Sequence, residues 1–485
     1  MAVSEFEATV LARLRARLQR DTNGHALGDR TRARLGFKHL DAYYNGMQRL
    51  EQLGLAVPPE LRRFITVVAW PATCVDSVEQ RIDLEGFRLP GAADADKEMW
   101  RIWQANGLDE ESQLAHLDSL IYGRSFTCVG RNEEDDTTPL VTVESATEMT
   151  GEWDPRRRAL SAAAKFYVDD SSGEKVERAT LYLPDVTAWL VKDQRGDWVE
   201  DEDGSPGRDQ HNLGRVPVVA LTNSPRLAAR DGQSYMLRAI DLTDATARAL
   251  TNAQVAAELM AIPQRWAVGV AKDGFVDETG KSLTVWESYF GAISMSENKD
   301  AKFGQFAAAE LSNFKTIVDM YGQLLAGVYG LPLRYLGQLT TNPPSAEAIT
   351  ADESRLVKTV ERKERGFAGS WEQTMRLVRR FVDGDWNPDL RQMETLWKNP
   401  ATPTRAQTID AAIKSLQGDR PLITVRQARE DVGYSEVQIQ RMEATEEAAF
   451  NRADPLTAQL LAGLPVNSQA GAAAPEPVPL SLPEG

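Results

Sequence analysis

Cysteine is almost missing from the 485 residues. Only Cys74 and Cys128 occur, too few for a disulfide framework and without the C-x-x-C spacing of a zinc site. Both read as reduced core residues. Histidine is scarce as well: His25, His39, His116 and His211 lie far apart, with no H-E-x-x-H pair. An isolated histidine reads as a polar structural residue rather than a metal ligand. No stretch approaches the ~20 apolar residues that a membrane-spanning helix needs. The first twenty residues carry Glu5, Glu7, Arg13, Arg15 and Arg17 where a secretory signal would place its apolar core. Basic residues are outnumbered, 55 Lys and Arg against 71 Asp and Glu, for a net charge of −16. Whole-surface nucleic-acid binding and polybasic membrane binding both call for the opposite sign. The expectation is a soluble intracellular protein with no membrane partner.

What is present is ordinary globular material, 42% hydrophobic and 26% charged, with about three domains' worth of length. Up to about residue 135 the pattern is mostly helical, as in Val10, Leu11, Leu14 and Leu18, and again in Leu114, Leu117, Leu120 and Ile121. From Pro139 to Leu221 the period shortens to that of strands. Runs such as Leu140–Val143, Ala179–Leu183 and Val186–Val191 are separated by turn clusters, which predicts an antiparallel sheet with Pro217 at an edge. A helix with Met236, Leu237, Ile240, Leu250, Val255 and Leu259 ends at Pro263. A small mixed insert follows to about residue 308.

The cleanest stripe is Phe314, Ile317, Val318, Tyr321, Leu324, Leu325 and Val328, one wide apolar face of a helix that stops at Gly330. A polar, proline-bounded stretch, Gly337-Gln338-Leu339-Thr340-Thr341-Asn342-Pro343-Pro344, leads to Ser345, an N-cap residue. The helix starting there carries Ile349, Leu356, Val360, Phe367, Trp371, Met375, Val378 and Phe381 and stops at Gly384. It would be roughly 58 Å long. A C-terminal helical region from Thr404 to Arg452 precedes a proline-rich tail with the composition of a disordered segment.

Catalytic motifs fail on spacing. Gly280-Lys281-Ser282 is preceded by Gly274 with five intervening residues, where a phosphate loop requires four. Gly123-Arg124-Ser125 opens like a nucleophile elbow, but Thr127 stands where the closing glycine belongs, so it reads as a turn after a helix. Asp201-Glu202-Asp203-Gly204 lacks the ligand spacing of a calcium loop and reads, like Glu133–Asp136, as a solvated acidic tip. No catalytic residue, metal site or cofactor is expected.

The chain resembles the portal proteins of tailed double-stranded DNA phages, in the form common among phages of actinobacteria. The resemblance is carried by Tyr43-Tyr44-Asn45-Gly46, Val75–Arg81 with Glu85-Gly86-Phe87-Arg88, Ile102–Asn106, Ala115-His116 and Tyr122–Ser125. It continues through Leu213–Val219, Ala261–Trp266 and Pro343–Ile349, in order across residues 43 to about 384. It implies an α+β, multidomain fold of wing, stem, clip and crown, assembling as a homo-oligomeric ring, usually a dodecamer, at one capsid vertex. Double-stranded DNA would pass through the ring without sequence-specific binding during packaging and ejection. The implied partners are the terminase motor, the major capsid and scaffold proteins and a head–tail adaptor, in the virion and, during assembly, in the host cytoplasm.

Mapped onto the segments, residues 1–232 would be the wing, 233–262 and 310–329 the stem helices, and 263–309 the clip. Residues 330–344 would be the tunnel loop, with Gly337, Gln338, Leu339, Thr340, Thr341 and Asn342 at the constriction. Residues 345–403 would be the long wing helix and its return strand, 404–464 a crown-like region and 465–485 a disordered tail. The stripe Phe314–Val328 would pack the stem. Two rival readings are a minor capsid or scaffold-type protein without a pore, and a packaging enzyme, which the missing phosphate loop opposes.

Overall fold

Ser4 starts the first helix with a capping box. Its hydroxyl accepts the Glu7 N–H at 3.3 Å, and the Glu7 carboxylate accepts the Ser4 N–H at 3.0 Å. The structure is a computed structural model that describes residues 3–24, 35–49, 65–92, 95–135, 137–171, 173, 175–201, 207–260, 265–268, 302–305, 311–337, 345–401, 405–417, 421–434 and 436–453. Two units are distinguished, Met1–Ala401 and Thr402–Gly485.

In the first unit the helices are α1 (Glu5–Asn23), α2 (Phe37–Tyr44), α3 (Trp70–Glu79), α4 (Lys97–Ala105), α5 (Leu108–Tyr122), α6 (Ile240–Met260), α7 (Ser312–Tyr329) and α8 (Ala346–Asp383). The strands are β1 (Leu84–Arg88), β2 (Arg124–Gly130), β3 (Leu140–Ser145), β4 (Met149–Asp154), β5 (Ala159–Asp169), β6 (Val176–Tyr182), β7 (Thr187–Lys192), β8 (Trp198–Glu200), β9 (Arg208–Asp209), β10 (Val218–Thr222), β11 (Arg265–Val268), β12 (Lys302–Gln305) and β13 (Glu394–Trp397). The mixed helix and sheet content is that of an α+β protein.

The antiparallel region divides into two sheets, where the pattern alone predicts one. Strands β4 to β8 follow one another as hairpins, with β9 added beside β7. The other sheet has the order β10-β2-β3, which puts β10, just after Pro217, at an edge. Its middle strand begins where the sequence reads only a turn. Arg124 to Val129 are all buried, so β2 shows no alternation to betray it. On one face of β2, Ser125 donates to Ala115 O in α5 at 2.6 Å and Thr127 meets Thr374 of α8 at 2.7 Å. On the other, Cys128 lies against Met149 of the larger sheet.

The larger sheet lines its outer face with Ala162, Ala164, Ala179 and Ala188 beside Leu181 and Leu190. These small residues let α1 lie close and bury Val10, Leu11 and Leu14. Ion pairs rim this contact, including Arg15–Glu177 at 2.6 Å and Arg208–Glu7 at 2.8 Å. Asp201, expected to be solvated, is 7% exposed and paired with Arg178. At the end of α1 a fully buried pair, Arg124–Asp21, spans 2.5 Å.

The main core is threaded by α8. The hydroxyl of Ser345 accepts the Ala348 N–H at 3.2 Å, and Gly384 closes the helix in the left-handed conformation (φ +78°). Leu356, Val360, Phe367, Trp371, Met375 and Val378 are all at or below 1% exposure. Trp103 packs edge-to-face on Trp371 at 4.9 Å, and the Trp371 indole N–H donates to His116 Nε2 at 2.8 Å. Burial drives the His116 pKa down to about 3, so the ring is neutral at physiological pH. The buried face of α5 therefore runs through Leu108, Ser112, Ala115, His116, Ser119 and Leu120, while Leu114 points outward. After α8 the chain returns through β13, which pairs antiparallel with β1, Leu84 opposite Trp397.

The second unit contains α9 (Arg405–Leu416), α10 (Val425–Asp431) and α11 (Glu436–Ala453). Thr424 caps α10 by accepting the Gln427 N–H at 3.1 Å. Arg426–Glu443 at 3.1 Å and Arg429–Glu446 tie α10 to α11.

Candidate functional site

The expected stem helices and tunnel loop fall on α6, α7, the connection after α7 and the start of α8. Helix α6 is preceded by a 3-10 turn, Tyr235–Arg238, so the first part of the predicted helix from residue 233 is not α-helical. Of the anticipated stripe, Met236, Ile240 and Val255 are buried, but much of the inner face is made by small and polar residues instead. Leu237 is 40% exposed, while Thr243, Thr246, Ala247, Thr251 and Val255 are buried. Each of the three threonines donates its hydroxyl to the carbonyl four residues earlier at 2.8 Å. That satisfies the polar atom and leaves a methyl for packing. Tyr43 adds an outside tether, donating to both carboxylate oxygens of Asp244 at 3.0 Å.

Helix α7 packs against α6 with only part of its apolar face. Gly322, Leu325, Ala326 and Tyr329 are buried and Phe314, Val318 and Tyr321 are half-buried. Ile317, Met320, Leu324 and Val328 form a second apolar line along the helix that is 38 to 51% exposed. Tyr329 fixes the end of α7 by donating to Tyr235 O at 2.6 Å, with the two rings edge-to-face at 4.9 Å.

The connection to α8 begins with Gly330 (φ +69°), where an added Cβ would strike the Arg355 side chain at 2.7 Å. It continues through the 3-10 turn Leu333–Leu336 to Gly337 (φ +79°). Of the expected constriction residues, Gly337 is described. Gln338, Leu339, Thr340, Thr341 and Asn342 lie outside the described residues, as does most of the insert at 263–309, of which β11 and β12 form a two-stranded pair. The tail at 465–485 also lies outside them.

The root of this connection is held by a knot that sequence reading missed. Glu353, on the second turn of α8, receives Arg81 at 3.3 Å, Arg334, and the Tyr335 hydroxyl at 3.1 Å. Arg81 donates in addition to Tyr335 Oη and to Pro400 O, each at 2.9 Å. Arg81 and Glu353 are almost buried, with side chains 11% and 12% exposed. The knot joins the turn after α3, the end of α7's extension and the start of α8. Its members are far apart in the chain, so no local motif announces them.

Farther along α8 and at the end of α3, burial holds two carboxyls partly protonated. Glu364 is raised to about 7 by desolvation, then by Glu361 and Asp83, and its Oε1 accepts no hydrogen bond. Glu79 is raised to about 7 by desolvation, then by Asp76 and Asp83. These carboxyls are no metal centre: among the described residues no group of three His, Cys, Asp or Glu is placed to hold an ion. Cys74 and Cys128 are buried free thiols. No described helix is long and apolar enough to cross a membrane.

The model of the family "Phage portal protein, SPP1 Gp6-like" matches residues 27–451. The portal protein of Mycobacterium phage D29 is 40% identical over 418 residues, 84% of each chain. That of Mycobacterium phage L5 is 39% identical over 417 residues, again 84% of each. The match spans both helices, the connection and α8, and on it the chain belongs to the SPP1 Gp6-like family of phage portal proteins, a structural rather than enzymatic class.

Proposed function

We propose that copies of this chain close side by side into a ring at a single capsid vertex, a dodecamer in the virion, through which double-stranded DNA enters and leaves. In this reading α6 and α7 are the stem and the insert at 263–309 is the clip. The connection 330–344 reaches the channel as a tunnel loop, α8 spans the wing, and the second unit forms the crown. The ring would receive the packaging motor and later the head–tail adaptor, and would meet capsid and scaffold proteins at its rim.

The observation that carries the reading, beside family membership, is the exposed line Ile317–Met320–Leu324–Val328 on α7. A single chain leaves this face in water, whereas a neighbour placed beside it would bury it. The net charge of −16 supports passage rather than capture of DNA, since few cations remain to hold phosphates. Electron microscopy and mass photometry of the purified full-length protein test the proposal. Closed rings with a central hole are expected, and a chain that stays monomeric at every concentration would reject it.

A further inference from the structure

Residues 223–233 leave the sheet after β10 and return just before the 3-10 turn that leads into α6. This excursion is anchored far more firmly than an ordinary surface loop. At its base Asn223 N–H donates to Gly123 O and Gln233 N–H to Asn223 O, each at 2.9 Å, and Asn223 Nδ2 donates to Gln233 O at 2.7 Å. Gly232 (φ +75°) allows the strands of the base to close, since a Cβ there would lie 2.0 Å from Gly123 O. Lys363 of α8 donates to Asn223 Oδ1 and, at 2.7 Å, to Ser224 Oγ, holding Ser224 at φ +48°. Asp231 pairs with Arg17 at 2.6 Å. Near the tip Arg226 and Ala229 exchange both backbone hydrogen bonds at 2.9–3.0 Å.

All this order presents Leu227 to solvent at 88% exposure, between Arg226 and Arg230. Neither arginine pairs with an acid among the described residues. A rigidly held apolar tip with a cation on each side is the form of a docking knob, because little backbone entropy remains to be lost on binding.

A matching hollow of about 350 Å³ lies at the other end of α1. Phe6, Val10, Leu183 and Val186 give it apolar walls, and it is lined as well by Asp185 and by Glu152, which already pairs with Arg13 of the same hollow at 2.9 Å. Phe6 is 68% exposed, and Asp185 is exposed without a cation partner among the described residues. Arg17 marks the knob's base and Phe6 the hollow, about 16 Å apart along the helix. With its base fixed, the knob cannot bend back into its own chain's hollow.

We infer that Leu227 seats in the hollow of a second copy of this chain, with an arginine beside it meeting Asp185 there. Two different surfaces then join head to tail, the kind of contact that repeats around a ring. The inference rests on the ring reading above and adds to the α7 face a second, charge-matched contact.

The test uses full-length protein carrying Leu227→Cys together with Val186→Cys. The native thiols are buried, so mild oxidation reports on the new pair. A ladder of covalent multimers on a denaturing gel is expected for the double variant and only monomer for either single one. Arg226→Glu with Arg230→Glu should weaken assembly at least about tenfold at low salt without lowering the melting temperature of the monomer. Adding Asp185→Lys should restore part of it. Rings that form normally but neither crosslink nor respond to charge reversal overturn this contact while leaving the ring reading intact. A wild-type chain that forms no rings overturns both.

Discussion

Helices α7 and α8 flank the same connection and each carries an apolar stripe, yet they use them in opposite ways. The stripe of α8 from Leu356 to Val378 is consumed inside its own chain, down to the Trp371–His116 hydrogen bond. On α7 Leu325, Ala326 and Tyr329 are buried and Val318 and Tyr321 are covered in part, while the line from Ile317 to Val328 is left over. A stripe records that a face will be buried, but not by what. Where one chain offers no cover, the surplus is a measure of what assembly must supply.

Substitutions separate the two uses. Trp371→Ala should cost the most, about 3–5 kcal/mol of unfolding free energy, from the cavity and the stranded His116 nitrogen. Chemical denaturation measures it, and a loss under about 1 kcal/mol would remove α8 from the core side of the comparison. Glu353→Gln should follow at about 1.5–3 kcal/mol, because the nearly buried Arg81 keeps its charge and loses its carboxylate. Hydrogen exchange should quicken at 333–337 more than elsewhere, and uniform quickening would deny the knot a local role.

A smaller effect appears with pH. Glu364 and Glu79 have folded pKa values of about 7, above the ordinary carboxyl value of 4.5. The folded state therefore holds protons that the unfolded chain has released. Their contribution is full below about pH 4.5 and is lost as the pH rises through about 7. Unfolding midpoints followed from pH 4.5 to 8 should fall less steeply in Glu364→Gln than in the native chain, and parallel slopes would contradict the assignment. The smallest change in chain stability, within about 0.5 kcal/mol, is expected for Leu324→Ser. The same substitution should shift mass-photometry populations from rings toward monomers. A large loss of monomer stability would show that α7's outer line is not surplus.

Much of this division can be read along the chain, and the exceptions share a cause. Ser345 and Gly384 announce α8 because caps are local chemistry, and the Leu356–Val378 stripe needs only helical spacing. Strand β2 escapes notice because it is buried on both faces and has no polar side to alternate with. The inner faces of α5 and α6 are legible only in part: Leu120, Ile121, Ile240 and Val255 are buried as expected, but close approach also selects Ala115, Ser119, Thr243 and Thr246, which a search for large apolar residues passes over. The Arg81–Glu353 knot and the Asn223–Gln233 footing depend on partners from distant segments and have no signature at any one place. Among the proposed channel residues, the Phe314–Val328 helix was legible as a helix, but not which half of its face stays open.

The pairing of β1 with β13 sets a schedule for synthesis. Leu84 leaves the ribosome long before Trp397, its partner across the ladder, and at about 5–20 residues per second the delay is on the order of tens of seconds. Through that interval Phe87, Trp103 and the inner side of α5 have no α8 to cover them. The first unit is thus a late-closing fold, open to chaperones or to wrong neighbours until its last strand is made. Premature termination anywhere before residue 397 would release a sticky fragment rather than a smaller working part.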